Sequence, residues 1–285
     1  SKEKDLREAM PILASKGVPL LVHAELEGLC HLSNTDPREY KTFLESRPAE
    51  WEVNAIRMMI RLSRETGCRV HIVHLSAADA LDDIKAARAE GVNITAETCP
   101  HYLYFAAEEI PPGATQFKCT PPIRERENRE RLWQGLRESA IDFVVSDHSP
   151  CTPRLKKLEQ GKFDEAWGGI SGLQFGLSVV WTAMKDRGFG PETLCKWMSL
   201  KPAEFIGLRH GIAKGNDASL TVWNPERSFR LEEKLIQHKH KLTPYSDRTL
   251  FGVVEKTFVR GQQVFDERIS AAAFGRVGRQ VFRGA

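Results

Sequence analysis

Four short β-rich runs alternate with amphipathic helical segments along the first half of the chain, and this alternation most restricts the possible fold. The runs VPLLVH, RVHIVH, VNITAE and IDFVVS occupy residues 18–23, 69–74, 92–97 and 141–146. Largely apolar runs of this length are typical of strands in a buried parallel sheet. Strands that alternate with helices in this order predict a parallel α/β architecture.

The segments between and after these runs carry apolar residues three or four positions apart, which predicts helices. Four helices are predicted, at 52–67, 77–91, 128–136 and 172–187. In the second of them Leu81, Ile84 and Ala87 form one apolar stripe. Gly67 and Gly91 stand where the first two helices should end, because glycine readily adopts the left-handed conformation that closes a helix.

Two strand-to-helix connections, 24–51 and 98–127, are long, whereas the helix-to-strand returns are short. This asymmetry suggests a (β/α) barrel whose functional site lies at the carboxyl ends of its strands. After about residue 210 the chain contains strand and turn pieces without a strong helix. We therefore expect a partial barrel over 1–210 and a small β-rich domain over 211–285.

Composition narrows the classes of partner. The net charge of +3 is spread over 285 residues, so we do not expect nucleic acid or membrane surfaces as partners. We expect a small-molecule partner instead. No run approaches the roughly 18 apolar residues of a membrane span, and residues 1–17 resemble a polar-faced helix more than a signal peptide. Six cysteines without a CxxC pair indicate reduced thiols. We expect a cytoplasmic protein, with an organelle left open.

Three ionisable residues end three of the predicted strands. His23 ends the first run, His74 ends the second, and Asp147 follows the fourth. All three project from the carboxyl rim of a barrel sheet, where imidazole and carboxylate suit zinc or a similar divalent ion. A cation would neutralise Asp147 at the end of a core strand, and Asp147 can also take a proton from a metal-bound water. A metal site with Asp147 as catalytic base is therefore predicted.

Each of these residues also has a simpler interpretation, because a lone strand-end histidine is more often structural and an aspartate there often caps a helix or forms a turn. Among the other histidines, His71 is predicted to face the helices from the opposite side of its strand. His101 and His148 lie in a pocket or in ordinary loops, and both possibilities stay open. His238 and His240, in HKHK, are predicted to form a solvated charge run.

Taken with these residues, the sequence resembles the allantoinases, which form part of the cyclic amidohydrolase branch of the amidohydrolase superfamily beside the dihydropyrimidinases, hydantoinases and dihydroorotases. KCTPPIR, and SDHSPC followed by WGGI, resemble allantoinases more than their sister families. The matching blocks span nearly the whole chain, at 19–25, 70–81, 97–103, 117–124, 142–151, 167–174 and 211–225.

The resemblance implies the C-terminal half of a TIM-type (β/α)8 metal-dependent hydrolase barrel, followed by part of a small β-sandwich domain. It implies two zinc ions per full-length subunit, with His23 and His74 as ligands of one ion and Asp147 as a ligand of the other and proton shuttle. The reaction implied is hydrolysis of allantoin to allantoate in purine catabolism, with Thr120 and Gly169 holding the ring through main-chain groups. A homo-oligomer, often a tetramer, is implied as well.

Several features depart from the family pattern. The family takes two further ligands from an HxH motif at the end of its first strand and bridges its metals with a carboxylated lysine. The HKH at 238–240 has the wrong setting, and Lys2 and Lys4 follow no strand. We therefore expect a C-terminal portion that begins after the bridging lysine and is incomplete for activity by itself. Smaller departures are HAEL, where asparagine is expected after the glutamate, and DAS in place of DAD.

Three functional hypotheses remain from the sequence. The first is an allantoinase acting on its small-molecule substrate in a longer form. The second is a sister cyclic amidase of the dihydropyrimidinase or hydantoinase kind. The third is a non-catalytic scaffold of the same fold, which the missing ligands favour and which retention of His23, His74 and Asp147 opposes, since a scaffold need not keep buried charge.

Overall fold

The computed structural model describes residues 2–209, 211–269, 273, 274 and 278. The chain forms two compact units, composed of Ser1–Leu173 with His238–Pro244 and of Gln174–Gln237 with Tyr245–Ala285. The boundary predicted at residue 210 stays a prediction. Residue 210 itself and parts of the predicted domain 211–285 lie outside the described residues.

The first unit contains a four-stranded parallel sheet with the strand order β1-β2-β3-β4. Its strands are β1 (Leu20–Val22), β2 (Val70–Ile72), β3 (Ile94–Thr98) and β4 (Phe143–Val144). Each lies within or overlaps one of the four predicted runs, and β2 is fully buried. The predicted parallel α/β architecture is confirmed, with strands shorter than the runs that encode them.

One helix precedes the first strand of this unit, and the others follow its strands. They are α1 (Glu3–Ser15), α2 (Tyr40–Glu45), α3 (Ala49–Thr66), α4 (Leu81–Ala89), α5 (Pro100–Tyr104), α6 (Arg126–Arg137) and α7 (Pro153–Lys156). Helices α3, α4 and α6 are the predicted ones, and a 3-10 turn at Ala78–Ala80 leads into α4. Gly67 ends α3 with a φ of 69°, as the sequence predicts.

Apolar stripes explain why these helices form and where they face. The α4 stripe of Leu81, Ile84 and Ala87 is buried, as predicted. In α6, Leu132 and Leu136 are buried four residues apart, so one face of an otherwise polar helix packs into the core. Helix stability here comes mainly from burying these faces.

The long connections after β1 and β3 contain short helices that the sequence pattern does not reveal. Helix α2 lies in the first connection, and α5 lies in the second with 3-10 turns at Ala107–Glu109 and Thr115–Phe117. The returns from helix to strand take only a few residues. Long connections therefore gather at the carboxyl edge of the sheet, where the candidate site residues lie.

The second unit combines helices with an antiparallel sheet. Its elements are α8 (Gly176–Met184), α9 (Pro191–Cys195), α10 (Lys201–Phe205), β5 (Leu220–Arg230), β6 (Thr249–Val259) and β7 (Gln262–Asp266), with 3-10 turns at Lys185–Arg187 and Glu233–Leu235 and a π-helix at Lys196–Leu200. A further 3-10 turn, Leu173–Phe175, begins at the last residue of the first unit's main segment. The sheet order is β5-β6-β7. Helix α8 packs on β6, where the Ser178 hydroxyl donates to the Gly252 carbonyl. This antiparallel sheet agrees with the predicted fold class, and the small β-rich domain over 211–285 stays a prediction.

Two further features of the described residues bear on environment. None of the described helices combines the length and apolar character needed to cross a membrane. All six cysteines are described and none forms a disulfide; Cys30 and Cys195 are exposed and the other four are buried.

Candidate active site

Three predicted site residues gather at the carboxyl edge of the parallel sheet. His23 directly follows β1, His74 lies two residues past β2, and Asp147 lies three residues past β4. Parallel register, with Val22 beside Ile72, places these strand ends at the same edge. The structure therefore brings His23 and His74 into direct contact, with the charge of Asp147 acting on His74.

The two imidazoles meet through one nitrogen each. His23 Nδ1 lies 3.0 Å from His74 Nε2, and the ring planes are inclined by 74°. His74 is 8% exposed, and no other residue in the part of the chain that the structure describes bonds its Nδ1. Burial and the neighbouring His23 lower the pKa of His74, although the charge of Asp147 opposes this. His74 is therefore neutral at physiological pH, the state in which imidazole binds a metal.

His74 and Asp147 share an uncommon backbone conformation. Their φ angles are 43° and 42°, in the left-handed region that non-glycine residues seldom occupy. Each such residue costs roughly 1–2 kcal/mol, and strained residues of this kind cluster at functional sites. Both strained positions coincide with residues that the sequence predicted as metal ligands.

Glu25 and Arg47 extend the histidine pair. Glu25 Oε2 lies 2.8 Å from His23 Nε2 and 2.9 Å from the Arg47 guanidinium, and the Glu25 side chain is only 5% exposed. Burial opposes ionisation of Glu25, but the hydrogen bond from His23 and the charge of Arg47 hold its pKa below the ordinary value. Sequence reasoning gave Glu25 no role. The available signal was its spacing of two from His23, which places both side chains on the same side of an extended segment.

The predicted ring-binding residues lie beside the segment that follows Asp147. A Cβ added to Gly169 would lie 2.6 Å from Ser149 Cβ, so glycine alone fits there. A Cβ at the preceding Gly168 would lie 3.3 Å from the Thr120 side chain. Thr120 and Gly169 therefore belong to neighbouring loops, and Ser149 connects Gly169 to the strand end that carries Asp147.

Both main-chain polar groups of Gly169 already have partners within the protein. Its N–H donates to the Lys118 carbonyl at 3.0 Å, and its carbonyl accepts from Lys156 Nζ at 2.6 Å. Lys156 Nζ donates in addition to the carbonyls of Lys118 and Trp167, at 2.7 and 2.9 Å. Burial lowers the pKa of this ammonium to about 8. Lys156 stands in the polar stretch RLKKLEQGK, where no pattern distinguishes it from its neighbours.

The remaining histidines divide between structural and unassigned positions. His71 is fully buried, and its nitrogens lie 2.8 Å from Thr95 Oγ1 and 3.0 Å from Glu97 Oε2, so it shares a sheet face with both. His101 is 1% exposed and its ring nitrogens have no partner among the described residues. Burial and the neighbouring His74 lower the pKa of His101 to about 3, so this ring stays neutral.

The predicted solvated character of the HKHK run is wrong for His238. Its ring packs edge-on against His148 with centroids 5.4 Å apart, and both its nitrogens are buried. His148 Nδ1 in turn accepts from the N–H groups of Gly172 and Leu173. Sequence reasoning missed this contact because residues 238–244 join the first unit only through the tertiary fold.

A divalent ion fits part of this arrangement. Nitrogens 3.0 Å apart are compatible with one shared ion at the usual zinc–nitrogen distance of about 2.0–2.1 Å. No group of three or more His, Cys, Asp or Glu side chains suited to a metal occurs within the described ranges. His23 and His74 therefore fit as two ligands of one ion, and the described residues do not complete a metal centre.

A parallel sheet whose strands alternate with helices, with imidazole and carboxylate groups at its carboxyl edge, is typical of the α/β-barrel class of enzymes. Residues 1–264 match the model of the amidohydrolase family, and the chain belongs to that family. Its predicted resemblance is thereby confirmed.

Individual relatives agree with this membership. The chain is 46% identical over 277 residues to the allantoinase of Arabidopsis thaliana, covering 92% of this chain and 55% of that protein. It is 43% identical over 267 residues to the allantoinase of Streptomyces avermitilis, covering 92% and 59%. The solved L-hydantoinase (dihydropyrimidinase) of Arthrobacter aurescens superposes with a TM-score of 0.83 at 26% identity, covering 94% and 61%. The chain thus spans little more than half the length of the curated relatives it matches.

Proposed function

We propose that this chain is part of an allantoinase, which hydrolyses the cyclic amide of allantoin to allantoate. The observation that carries the proposal is the meeting of His23 and His74 beside Asp147 at the strand ends of an amidohydrolase-family chain. The 46% identity to a protein named allantoinase supports the choice of substrate.

The proposed cofactor is a pair of divalent ions, zinc in the first instance, with His23 and His74 serving one ion and Asp147 the other. When bound, such ions polarise the amide carbonyl and make a water molecule more acidic. His74, neutral and buried, presents Nε2 to the site. Asp147 takes a proton from the attacking water and delivers it to the nitrogen that leaves when the ring opens.

Thr120 and Gly169 are proposed to border the ring of the substrate. The main-chain groups of Gly169 are engaged with Lys118 and Lys156, so its contribution is the space left by its missing side chain. Any side chain at 169 would collide with Ser149, two residues from Asp147. Thr120 retains a side chain at partial exposure next to this space.

The cellular setting is proposed on the family resemblance alone. We propose a cytoplasmic homo-oligomer, in the form of a tetramer, that acts in purine breakdown on a small-molecule substrate. The even spread of a net charge of +3 supports the absence of nucleic acid from its partners.

A second candidate is a hydantoinase-type cyclic amidase. The TM-score of 0.83 to the L-hydantoinase of Arthrobacter aurescens favours this candidate. Its chemistry is also compatible, because hydantoin and allantoin both contain a hydrolysable cyclic amide. The identity of 26% to that protein is well below the 46% to the plant allantoinase, and allantoin is therefore the first substrate to test.

The test is allantoin hydrolysis with added zinc, manganese or cobalt, on this chain and on a longer form that spans the length of its relatives. We expect the longer form to produce allantoate. Asp147→Ala should lower its turnover by about 10²–10⁴-fold, the usual contribution of a general acid–base group. Asp82→Ala is the matched control, because Asp82 lies 87% exposed on α4 and should leave turnover unchanged.

Two outcomes would contradict the allantoinase assignment. If the longer form binds metal and hydrolyses hydantoin or dihydrouracil but not allantoin, the sister amidase is correct. If neither form binds metal or hydrolyses any cyclic amide, the scaffold of the same fold is correct.

A further inference from the structure

The buried ammonium of Lys156 contacts both loops that are proposed to border the substrate ring. We propose that Lys156 is a positioning residue for substrate binding. It fixes the peptide bond between Trp167 and Gly168, so that the Gly168 N–H can donate to the substrate ring beside Thr120. This inference deepens the proposed function and rests on it for the place of the substrate.

The ammonium of Lys156 uses all of its donors within the protein. An ammonium group has three N–H donors and no acceptor. Lys156 Nζ lies 2.7 Å from the carbonyl oxygen of Lys118. It lies 2.9 and 2.6 Å from the carbonyl oxygens of Trp167 and Gly169. The residue is 3% exposed, so these bonds are shielded from water. Because the carbonyls belong to two different loops, one side chain fixes those loops relative to each other.

The bond to Trp167 determines where the next N–H of the chain points. The peptide bond between Trp167 and Gly168 is trans, and the C=O and N–H of a planar trans peptide point in opposite directions. Since the Trp167 carbonyl points to Lys156, the Gly168 N–H points away from it. No other residue within the described ranges bonds either main-chain polar group of Gly168. The Gly168 N–H is therefore an oriented donor that a ligand can use.

Thr120 lies next to this donor. A Cβ added to Gly168 would lie 3.3 Å from the Thr120 side chain. In the described part of the chain, no residue bonds the main-chain groups or the hydroxyl of Thr120. The Thr120 carbonyl can accept a hydrogen bond and the Gly168 N–H can donate one. A cyclic amide offers an N–H and a carbonyl in its ring, so the two protein groups match its polar atoms.

Lys156 is itself held on both sides of its Cα. The Thr115 hydroxyl donates to the Lys156 carbonyl at 2.5 Å, and the Lys156 N–H donates to the Thr152 carbonyl at 3.1 Å. Thr115 is fully buried. Burial lowers the pKa of Lys156 to about 8, so at pH 7 most molecules keep the ammonium and its three donors. An anchored backbone and three directed bonds give the fixed support that a binding loop needs.

A contribution to stability alone is the alternative role for Lys156. The Michaelis constant separates the two roles, because unfolded molecules lower the rate per mole of protein but do not change the KM of the folded ones. The experiment measures kcat and KM for allantoin at pH 7, with zinc added, on the longer form that spans the length of its relatives. The folded fraction of each variant is measured beside the kinetics.

Lys156→Met should raise the KM for allantoin about 3–10-fold, the usual effect of losing one hydrogen bond to the substrate. It should leave kcat of the folded enzyme within about twofold, because this bond is made in the ground state and the transition state alike. Lys156→Gln keeps two N–H donors and should raise the KM less. Lys85→Met is the matched control: Lys85 is exposed on α4, where it pairs with Asp82, and the KM should not change.

Thr115→Val is a second variant that leaves the ammonium in place. Valine is similar in shape to threonine but lacks the hydroxyl, so the Lys156 carbonyl loses its donor while Nζ keeps its own partners. We expect a smaller rise in KM in the same direction. If Lys156→Met does not fold, Lys156→Gln and Thr115→Val decide the role of Lys156.

The outcomes separate the role of Lys156 from the proposed function. An active wild type whose KM is unchanged in the folded variants at 156 and 115 would overturn the inference. A longer form that hydrolyses hydantoin instead of allantoin would refute the proposed substrate, and the KM for hydantoin in the same variants then decides the role of Lys156. A wild-type longer form that hydrolyses no cyclic amide would refute both the proposed function and the inference.

Discussion

Two residues of the candidate site have a backbone conformation whose energetic cost can be measured without any substrate. His74 and Asp147 have φ angles of 43° and 42°, a region that glycine occupies without the Cβ penalty. A strand end in this sheet does not require this conformation, since His23, which directly follows β1, has no positive φ. Ser139, Lys157, Asp247 and Arg260 also have positive φ, but of these six residues only His74 and Asp147 belong to the proposed site.

Asp147→Gly should be more stable than Asp147→Ala. Both variants remove the carboxylate, but alanine retains the Cβ that makes a φ of 42° costly. We expect the glycine variant to have the higher free energy of unfolding by about 1 kcal/mol, measured by chemical denaturation. At Asn54, exposed in the middle of α3, the order should reverse by about 1 kcal/mol because alanine is the better helix former. Equal stability of the two variants at 147 would show that the strain is absent.

The sequence could predict His23, His74 and Asp147 because strand-end placement follows from local pattern and parallel topology. It could not assign roles to Glu25, Lys156 or His238, since each acquires its partners only in the tertiary fold.

At the scale of elements, one side chain of α7 joins three loop segments. Lys156 Nζ donates to the carbonyls of Lys118, Trp167 and Gly169, and the residue is 3% exposed. Burial lowers the pKa of Lys156 to about 8, from an ordinary value of 10.5, in spite of the three carbonyls. The loops that carry Thr120 and Gly169 are therefore held together by hydrogen bonds to one buried ammonium group.

The buried ammonium of Lys156 should make the free energy of unfolding depend measurably on pH. Between pH 8 and 10.5 the unfolded chain binds more protons at Lys156 than the folded chain does, so folding becomes more favourable as pH rises. The free energy of unfolding of the wild type, relative to Lys156→Met, should rise by up to about 3 kcal/mol across this range. Urea denaturation at several pH values measures the difference.

Lys162→Met is the control for Lys156. Its exposed partner Glu165 raises the pKa of Lys162, so the stability that this pair supplies is present below pH 10.5 and is lost above it. The free energy of unfolding of the wild type, relative to Lys162→Met, should therefore not rise between pH 8 and 10.5. If the difference in free energy of unfolding between the wild type and Lys156→Met does not change with pH, the buried ammonium is not desolvated.

Whether a segment forms a helix or a strand could be predicted from the sequence more fully than the residues at which it begins and ends. The runs at 69–74 and 141–146 contain β2 and β4, but only three and two residues of them form strand. The chain leaves the sheet before His74 and Asp147, where the positive φ angles turn the backbone. Helix α2, six residues within a connection, is too short for an apolar period to reveal.

At the scale of the whole chain, β1 lies at one edge of the parallel sheet and has β2 as its single strand neighbour within the described ranges. Leu21, in the middle of β1, is 55% exposed, although its register partner His71 is fully buried. An open strand edge with an exposed leucine is a surface that other chains can pair with.

We therefore expect the 285-residue chain to self-associate, and Leu21→Lys to weaken this association by about 1 kcal/mol, or roughly fivefold in the dissociation constant. A lysine on an edge strand opposes pairing because its charge must stay hydrated. Ile12→Lys is the matched control: Ile12 is 62% exposed on α1, a helix and not a strand, and the same charge there should change association little. Sedimentation velocity over a range of concentrations measures both variants. Equal weakening by the two lysines would attribute association to general surface hydrophobicity, and a chain that stays monomeric throughout would show that the β1 edge does not pair.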